Sequence, residues 1–394
     1  MNSDYRKNPL RLLPLLASMV AITPLAIDMY LPAMPTIAKD LASSNSAIQV
    51  SLSLYLAGYA FGMLVFGPMA DRIGRRKVAI TGLIGFIICS LLLAITNQAD
   101  YFLGLRFTQA LFGSGATVVV AGIIRDLYGE HTSKGLSYVS MIMMIAPLIA
   151  PAIGSLILEI SVWQTIFYTL AGYAVLILTL VIWKLPQSIP SKSDRNWFHE
   201  FFSNYKLVFG TKKSLVNITS SMLGSFAFFC YITAIAFVYI EYFKVSETYF
   251  SILFGINVLA LFTANIINTR LVVKKGSKFM LYVGMTIGLI SAGLLLLVTK
   301  LDLSLYYTVA SLFPLIGGLA LVTVNSDALI LTQFPEQSGT ATAVIGTLRF
   351  GSGAFAGVLL GLLYDGTPLN LAILMFISLL GVVVAQLLGA RFTE

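Results

Sequence analysis

The chain has 394 residues, of which 58% are hydrophobic and only 11% are charged. Because a soluble protein carries roughly 25% charged residues, these values exclude a soluble globular fold and indicate that most side chains meet lipid. The formal net charge of +8 could serve nucleic-acid binding, but the basic residues cluster in loops between apolar segments, which favours membrane topology.

Twelve apolar segments follow one another along the chain, and each approaches or exceeds the ~20 residues that a membrane-spanning helix needs. They cover residues 10–33, 48–70, 78–96, 101–124, 135–158, 162–183, 214–243, 248–272, 278–299, 303–332, 338–363 and 368–390. The longest hydrophilic stretch, residues 185–213, follows the sixth segment. The sequence therefore predicts an all-α integral membrane protein with twelve transmembrane helices in two six-helix bundles, residues 1–184 and 214–394.

The distribution of lysine and arginine predicts the orientation, because these residues gather on the cytoplasmic side of a membrane. If the N-terminus is cytoplasmic, the loops on the opposite side hold only Lys39, Lys244 and Lys300. We therefore predict a multi-pass protein of the bacterial inner (plasma) membrane with both termini in the cytoplasm. Two further cations, Arg106 and Arg349, fall inside the membrane.

The first span contains an acid. Asp28 lies four residues before Pro32, which has no amide hydrogen to donate to the carbonyl of Asp28. An ionised carboxylate inside a membrane is costly and is by default a functional candidate. We predict that Asp28 loads and releases a proton; the alternative is an aspartate that caps or bends the helix beside Pro32 and Pro35.

The loop Gly67–Lys77 after the second span holds one acid and four cations. Gly67 and Gly74 allow a tight turn between two helix ends, and the cations hold the loop at the cytoplasmic face. Asp71 can bind the positive end of a helix or pair with an arginine. We predict a conformational latch between two rigid bodies, and a purely topogenic basic loop is the alternative. The latch residues are Gly67, Asp71, Arg72, Gly74, Arg75 and, at the end of the fourth span, Asp126.

The fourth span contains Arg106, with Gln109 on the same helical face. A guanidinium at this depth must be paired or must face water. Asp28 is the candidate partner from another helix, and snorkelling of Arg106 to the outer interface is the alternative.

The fifth span contains Pro147 and Pro151, which remove two helical hydrogen bonds and are expected to bend the helix. Ala146, Ala150 and Gly154 form one stripe, against which a neighbouring helix can pack closely. A generic proline kink is the alternative.

The linker 185–213 has aromatic residues at helical spacing beside two lysines. This pattern favours a short amphipathic helix on the membrane surface over a disordered linker. The aromatic residues are Trp197, Phe198, Phe201, Phe202, Tyr205 and Phe209.

The second half echoes the first weakly, since basic residues and Gly276 follow the eighth span as the Gly67–Lys77 loop follows the second. Such parallel repeats are typical of secondary carriers, whose site lies between the halves. Asp327 and Arg349, on the tenth and eleventh spans, are close enough to the same membrane side to form an ion pair.

Eight residues are candidates for a central cavity that accepts amphipathic molecules, although many aromatic residues in a membrane protein serve only packing. They are Tyr30, Tyr55, Tyr59, Gln109, Phe228, Tyr231, Asn257 and Asn325.

These features together resemble the major facilitator superfamily, and specifically the twelve-helix drug/proton antiporters of the Bcr/CflA subfamily. The proline pair on the fifth span looks like the antiporter motif of that family. The resemblance covers the whole chain and rests on Asp28–Pro35, Gly67–Lys77, Arg106 with Gln109 and Ala110, Arg125–Tyr128, Ala146–Gly154 and Gly339–Ala341.

The resemblance implies alternating access by two six-helix bundles, with export of a compound driven by inward proton flow. It implies that Asp28 is the proton site, that Arg106 is its electrostatic partner, and that Asp71, Arg75 and Asp126 form the latch. Met63, Gln164 and the pair Asp327 and Arg349 depart from many relatives, and these departures bear on the substrate more than on the mechanism.

Competing functions remain open at this point. An exporter of an endogenous metabolite such as a siderophore would use the same motifs. A membrane-embedded enzyme is disfavoured, because the histidines, His131 and His199, both fall in loops. There is no GxxxxGK[ST] loop for ATP. We expect no cofactor and no metal, a proton gradient as the energy source, and a small molecule, protons and the bilayer as partners of a monomer.

Overall fold

The computed structural model describes residues 12–128, 132–185, 212–334 and 338–390, and within these ranges it contains helices and no strands. The predicted all-α fold with twelve spans is confirmed. Eleven helices are long and apolar enough to cross a membrane within these ranges, and the fifth span contributes the shorter apolar stretch Ile145–Ile160.

The chain divides into two compact units, Met1–Ser193 and Asp194–Glu394. In the first unit the opening span has two helical segments, Leu13–Asp28 and Met34–Asp40, joined through a 3-10 turn at Leu31–Ala33. The following spans are Asn45–Ile73, Arg75–Ile95, Ala99–Tyr128, Thr132–Ile160 and Gln164–Lys184.

The first described helix of the second unit is Lys212–Ala236, which continues as a π-helix at Phe237–Tyr242. The remaining spans are Glu247–Lys275, Ser277–Lys300, Leu305–Gln333, Ser338–Leu362 and Leu369–Ala390. The predicted linker with its surface helix lies almost entirely outside the described residues.

The first span breaks directly after Asp28. The amide of Met29 still bonds to the carbonyl of Leu25 at 3.1 Å, but the next turn tightens, and the amide of Ala33 bonds to Tyr30 at 3.1 Å. Pro32 lies in this turn and has no amide hydrogen, so the helical ladder cannot continue through it. Asp28 is therefore the last residue of the first helical segment.

Gly154, one member of the stripe of small residues on the fifth span, packs against this break. Ala146, Ala150 and Gly154 are all buried. A Cβ atom on Gly154 would lie 2.2 Å from the carbonyl oxygen of Met29 and 3.1 Å from Cγ of Pro32. Helix association in lipid depends on such close packing, because lipid tails are as apolar as the side chains that they replace.

The second and eighth spans begin and end in the same way. Each has 29 residues, begins after a capping serine, and ends at a glycine with positive φ. Ser44 accepts from the amide of Ala47, and Ser246 accepts from the amide of Tyr249. Gly74 at φ 98° and Gly276 at φ 81° connect each helix to the next one, in a backbone conformation that favours glycine.

The contact at Gly154 can be tested by adding one methyl group. Gly154→Ala is expected to lower the free energy of unfolding by about 1–3 kcal/mol, because the clash is with backbone that is fixed by the break. Gly172→Ala is the matched control, since its Cβ would meet nothing within 4 Å and alanine is the better helix former. The melting temperatures of both variants in one detergent would be compared, and equal values would contradict the close contact.

Candidate functional site

Arg106 lies at the centre of a buried polar network in the first unit. Its side chain has 0% exposure, so the alternative of snorkelling to the interface is wrong. Nη1 donates to Oε1 of Gln109 at 2.8 Å, and Nη2 donates to the carbonyl oxygen of Ala26 at 3.2 Å. Gln109 in turn donates to Oγ of Ser90 at 2.8 Å, and Ser90 donates to the carbonyl of Phe86. The network therefore joins the first, third and fourth spans.

Two tyrosine rings enclose the guanidinium. Cζ of Arg106 lies 4.5 Å from the ring centroid of Tyr30 and 4.4 Å from that of Tyr55, within the range of cation–π attraction. The hydroxyl of Tyr30 is 2.6 Å from Oγ of Ser51, which donates to the carbonyl of Ile48. Tyr30 and Tyr55, both predicted to line the cavity, have no exposed surface, and each packs a ring face against Arg106.

Asp28 lies in the same cluster without forming the expected ion pair. Asp28 is buried at 4% exposure and lies two residues after Ala26, whose carbonyl accepts from Arg106. Within the described residues no ion pair joins Asp28 to Arg106. The physical reason is the break in the first span, since the amide of Tyr30 does not bond to Ala26 and the freed carbonyl accepts from Arg106 instead.

The remaining cavity candidates are held by hydrogen bonds between helices. Tyr59 lies 2.8 Å from Oγ1 of Thr117. Asn257 is fully buried and donates to the hydroxyls of Tyr231 at 3.1 Å and Tyr239 at 3.2 Å, while its Oδ1 has no hydrogen-bond partner among the described residues.

Asn325, also buried, donates to Oδ1 of Asn268 at 2.8 Å and to the carbonyl of Leu321 at 2.8 Å. Phe228, whose side chain has no hydrogen-bonding group, is half-buried; its ring is tilted by 36° against that of Tyr231, with centroids 6.3 Å apart. Contact of these residues with cargo stays a prediction.

The structure describes part of the predicted latch. Gly74, with φ 98°, connects the second and third spans. A Cβ atom added at Gly67 would lie 3.7 Å from Cγ2 of Val118. Arg75 is buried and donates to the carbonyl of Gly122 at 2.9 Å, whereas Arg72 is exposed. The side chains of Asp71 and Asp126 lie outside those that the structure describes.

The structure brings together Asp327 and Arg349, as expected. Nη2 of Arg349 forms an ion pair with Oδ2 of Asp327. Ser221, which the sequence analysis did not single out, donates to Oδ1 of Asp327 at 2.5 Å. Pro147 and Pro151 lie within the continuous helix Thr132–Ile160.

Several partners were missed by sequence reasoning. Each is a polar residue within an apolar span, and that signal alone could have marked it as buried and bonded. The pairing could not have been deduced, because it depends on which helices are neighbours. The missed residues are Ser51, Ser90, Thr117, Ser221, Tyr239 and Asn268.

Comparison with known proteins identifies the family. Residues 16–358 match the family model of the Major Facilitator Superfamily, and the chain belongs to this superfamily. It is 31% identical over 341 residues to the "Bicyclomycin resistance protein homolog" of Haemophilus influenzae, covering 86% of this chain and 85% of that protein. The predicted resemblance to the Bcr/CflA subfamily is confirmed.

Two further relatives agree with this membership. The chain is 31% identical to the "Uncharacterized MFS-type transporter YdgK" of Bacillus subtilis, covering 96% of this chain and 95% of that protein. It is 40% identical over 176 residues to the "Multidrug resistance protein MdtL" of Vibrio parahaemolyticus, covering 44% of each chain.

Solved structures share the fold at low identity. The xylose transporter XylE of E. coli has a TM-score of 0.76 at 14% identity, covering 100% of this chain and 98% of that one. A POT family transporter in complex with a thioalcohol-conjugated peptide has a TM-score of 0.79 at 15% identity, covering 98% and 97%. The protein is thus a membrane transporter with the fold of the superfamily.

The role of Arg106 as a clamp on the first span can be tested with Arg106→Lys. Lysine keeps the charge but has one nitrogen in place of a planar fork, so it cannot bond Gln109 and the carbonyl of Ala26 at once. We expect the free energy of unfolding to fall by about 2 kcal/mol. Arg270→Lys, at an exposed arginine of the eighth span, is the control. Equal thermal stability of the two variants would show that the clamp contributes little.

Proposed function

We propose that this member of the Major Facilitator Superfamily exports small amphipathic compounds, antibiotics among them, in exchange for protons. The observation that carries the proposal is Asp28, a buried carboxyl that ends the first helical segment and makes no ion pair within the described part of the chain. A carboxylate in such a place needs water or a cation when it is ionised, so its proton and its access to water are linked. The named resistance proteins among its relatives support export over import.

In the proposed cycle the two six-helix units alternate access to the two sides of the membrane. Asp28 binds a proton when its surroundings open to the outside and releases it when they open to the cytoplasm. Arg106 acts by holding the break of the first span in place, through the carbonyl of Ala26 and by packing between the rings of Tyr30 and Tyr55. Outward movement of cargo is then driven by inward proton flow, with no cofactor.

The proposed setting is the bacterial inner membrane, with both termini in the cytoplasm. The charge distribution supports it, since the loops on the opposite side hold only Lys39, Lys244 and Lys300. A monomer suffices for this architecture, since one chain supplies both six-helix units.

The proton site is tested by Asp28→Asn, which keeps the shape of the side chain and removes its titration. Reconstituted into proteoliposomes with an imposed pH gradient, the variant is expected to lose concentrative transport of dansylcadaverine while retaining gradient-free exchange of the same compound. Asp100→Asn, at an exposed aspartate of the fourth span, is the matched control. Concentrative transport at the wild-type level by Asp28→Asn would show that another group couples the proton.

We also propose that Asp71, Arg75 and Asp126 steady the outward-facing state. A charge-assisted contact contributes ~1.5–3 kcal/mol, so Asp71→Asn or Asp126→Asn should shift the population toward the inward-open state by about tenfold or more. Cysteine labelling from each side of the membrane would measure the shift, with Asp100→Asn as control. Unchanged labelling in both variants would leave the loop a topology signal.

A further inference from the structure

A second charged cluster lies in the C-terminal unit and has no part in the proton step proposed above. Ser221 on the seventh span, Asp327 on the tenth and Arg349 on the eleventh meet there. Both carboxylate oxygens of Asp327 are engaged, Oδ1 by the hydroxyl of Ser221 and Oδ2 by Nη2 of Arg349. The carboxylate is therefore fixed in position by two different helices.

The cluster lies within membrane-spanning helices and is partly exposed. At ~1.5 Å per residue, Asp327 is about 9 Å and Arg349 about 16 Å from the nearer ends of their helices. The side chains are 36% exposed for Arg349 and 18% for Asp327. A partly exposed charged pair at this depth is stable beside water and costly beside lipid. The exposed face of the pair therefore belongs to a water-accessible path.

An apolar cluster lies on one side of the pair. Its buried members are Ile218, Ile330, Phe334 and Val344. Ile218 lies one turn before Ser221, and Ile330 lies one turn after Asp327, so both are on the side of the pair predicted to face the cytoplasm. A hydrated approach to the pair therefore lies on its other side.

The guanidinium of Arg349 has N–H groups that are not used in hydrogen bonds to the described residues. Nη2 bonds to Asp327, but Nε and Nη1 make no hydrogen bond within the part of the chain that the structure describes. A guanidinium presents five N–H donors in a planar fork that fits a carboxylate in a bidentate manner. Because the side chain of Arg349 is 36% exposed, these donors are open to a second carboxylate.

We propose that Ser221, Asp327 and Arg349 form a cargo subsite that selects compounds carrying both a carboxylate and an ammonium group. The cargo carboxylate binds the free donors of Arg349, and the cargo ammonium binds Asp327, which Ser221 holds in place when the internal pair loosens. This inference rests on the proposed export function and names the class of compound that the exporter prefers.

Three fluorescent compounds that differ in one group each provide the test. Nε-dansyl-lysine carries both charges, dansylcadaverine is the same molecule without the carboxylate, and N-dansyl-6-aminohexanoate is the same molecule without the ammonium. Binding to the purified full chain in nanodiscs, without any gradient, is followed by dansyl fluorescence. We expect wild type to bind Nε-dansyl-lysine roughly tenfold more tightly than either of the other two.

The variants assign each preference to one side chain. Arg349→Gln should abolish the preference over dansylcadaverine, and Asp327→Asn should abolish the preference over N-dansyl-6-aminohexanoate. Ser221→Ala should weaken the second preference only. Arg270→Gln, the same change at an exposed arginine, should keep both preferences at the wild-type level.

The double variant keeps the test decisive if a single variant fails to fold. Removing one charge leaves its partner uncompensated, whereas removing both leaves none, so Asp327→Asn with Arg349→Gln is expected to be more stable than at least one single variant. It should bind the three compounds with similar affinity. If the double variant keeps the preference for Nε-dansyl-lysine, or if wild type shows none or binds none of the compounds, the pair is only a brace between helices and the proposal is overturned.

The proposal of proton-driven export and the proposal of a cargo subsite can be rejected independently. Proton-driven transport of dansylcadaverine in proteoliposomes tests export without the carboxylate contact. Transport of dansylcadaverine by a wild type that shows no preference for Nε-dansyl-lysine would retain the exporter and reject the subsite. Preferential binding without any proton-driven transport would retain the subsite and reject the coupling.

Discussion

A polypeptide inside a bilayer has no water with which to bond, so each backbone carbonyl and amide needs a partner within the protein. The first span meets this requirement with difficulty, because its helical ladder ends at Asp28 and resumes only after the turn that contains Pro32. The carbonyl of Ala26 then takes a donor from another span, and Arg106 supplies it. The buried position of Arg106 follows because the helix is interrupted here and the carbonyl of Ala26 still needs a hydrogen-bond donor.

Placing a guanidinium at full burial has a desolvation cost of several kcal/mol, which must be offset locally. Two hydrogen bonds and two aromatic faces do so. The second and fourth spans must approach closely for Tyr55 to reach Arg106. Gly58, one turn from Tyr55, permits this, since a Cβ there would lie 2.1 Å from the carbonyl oxygen of Phe107. Gly58 thus permits the close helix packing that brings Tyr55 against the buried charge of Arg106.

The sequence predicts most of the architecture because hydrophobic length is a strong signal in lipid. The twelve spans were found, and the structure extends several of them at capped ends, as where Ser44 and Gly74 bound the second span. The meeting of Asp327 and Arg349 was foreseeable from their depths alone. The partners of Arg106 were not, because the carbonyl acceptor at Ala26 has no side-chain signature. The bond from Asn257 to Tyr239 was also hidden, since the π-helix at Phe237–Tyr242 has no sequence rule.

The two charged clusters differ in exposure. In the N-terminal unit Arg106 has no exposed surface; its Nη atoms bond to an amide oxygen and a carbonyl between two rings, and its Nε is buried without a hydrogen-bond partner among the described residues. In the C-terminal unit Arg349 is partly exposed. A proton site works by shielding, because only a small ion should reach it, whereas a cargo site needs open donors and room for a solute. The different exposure of the two arginines therefore supports assigning proton coupling to one unit and cargo selection to the other.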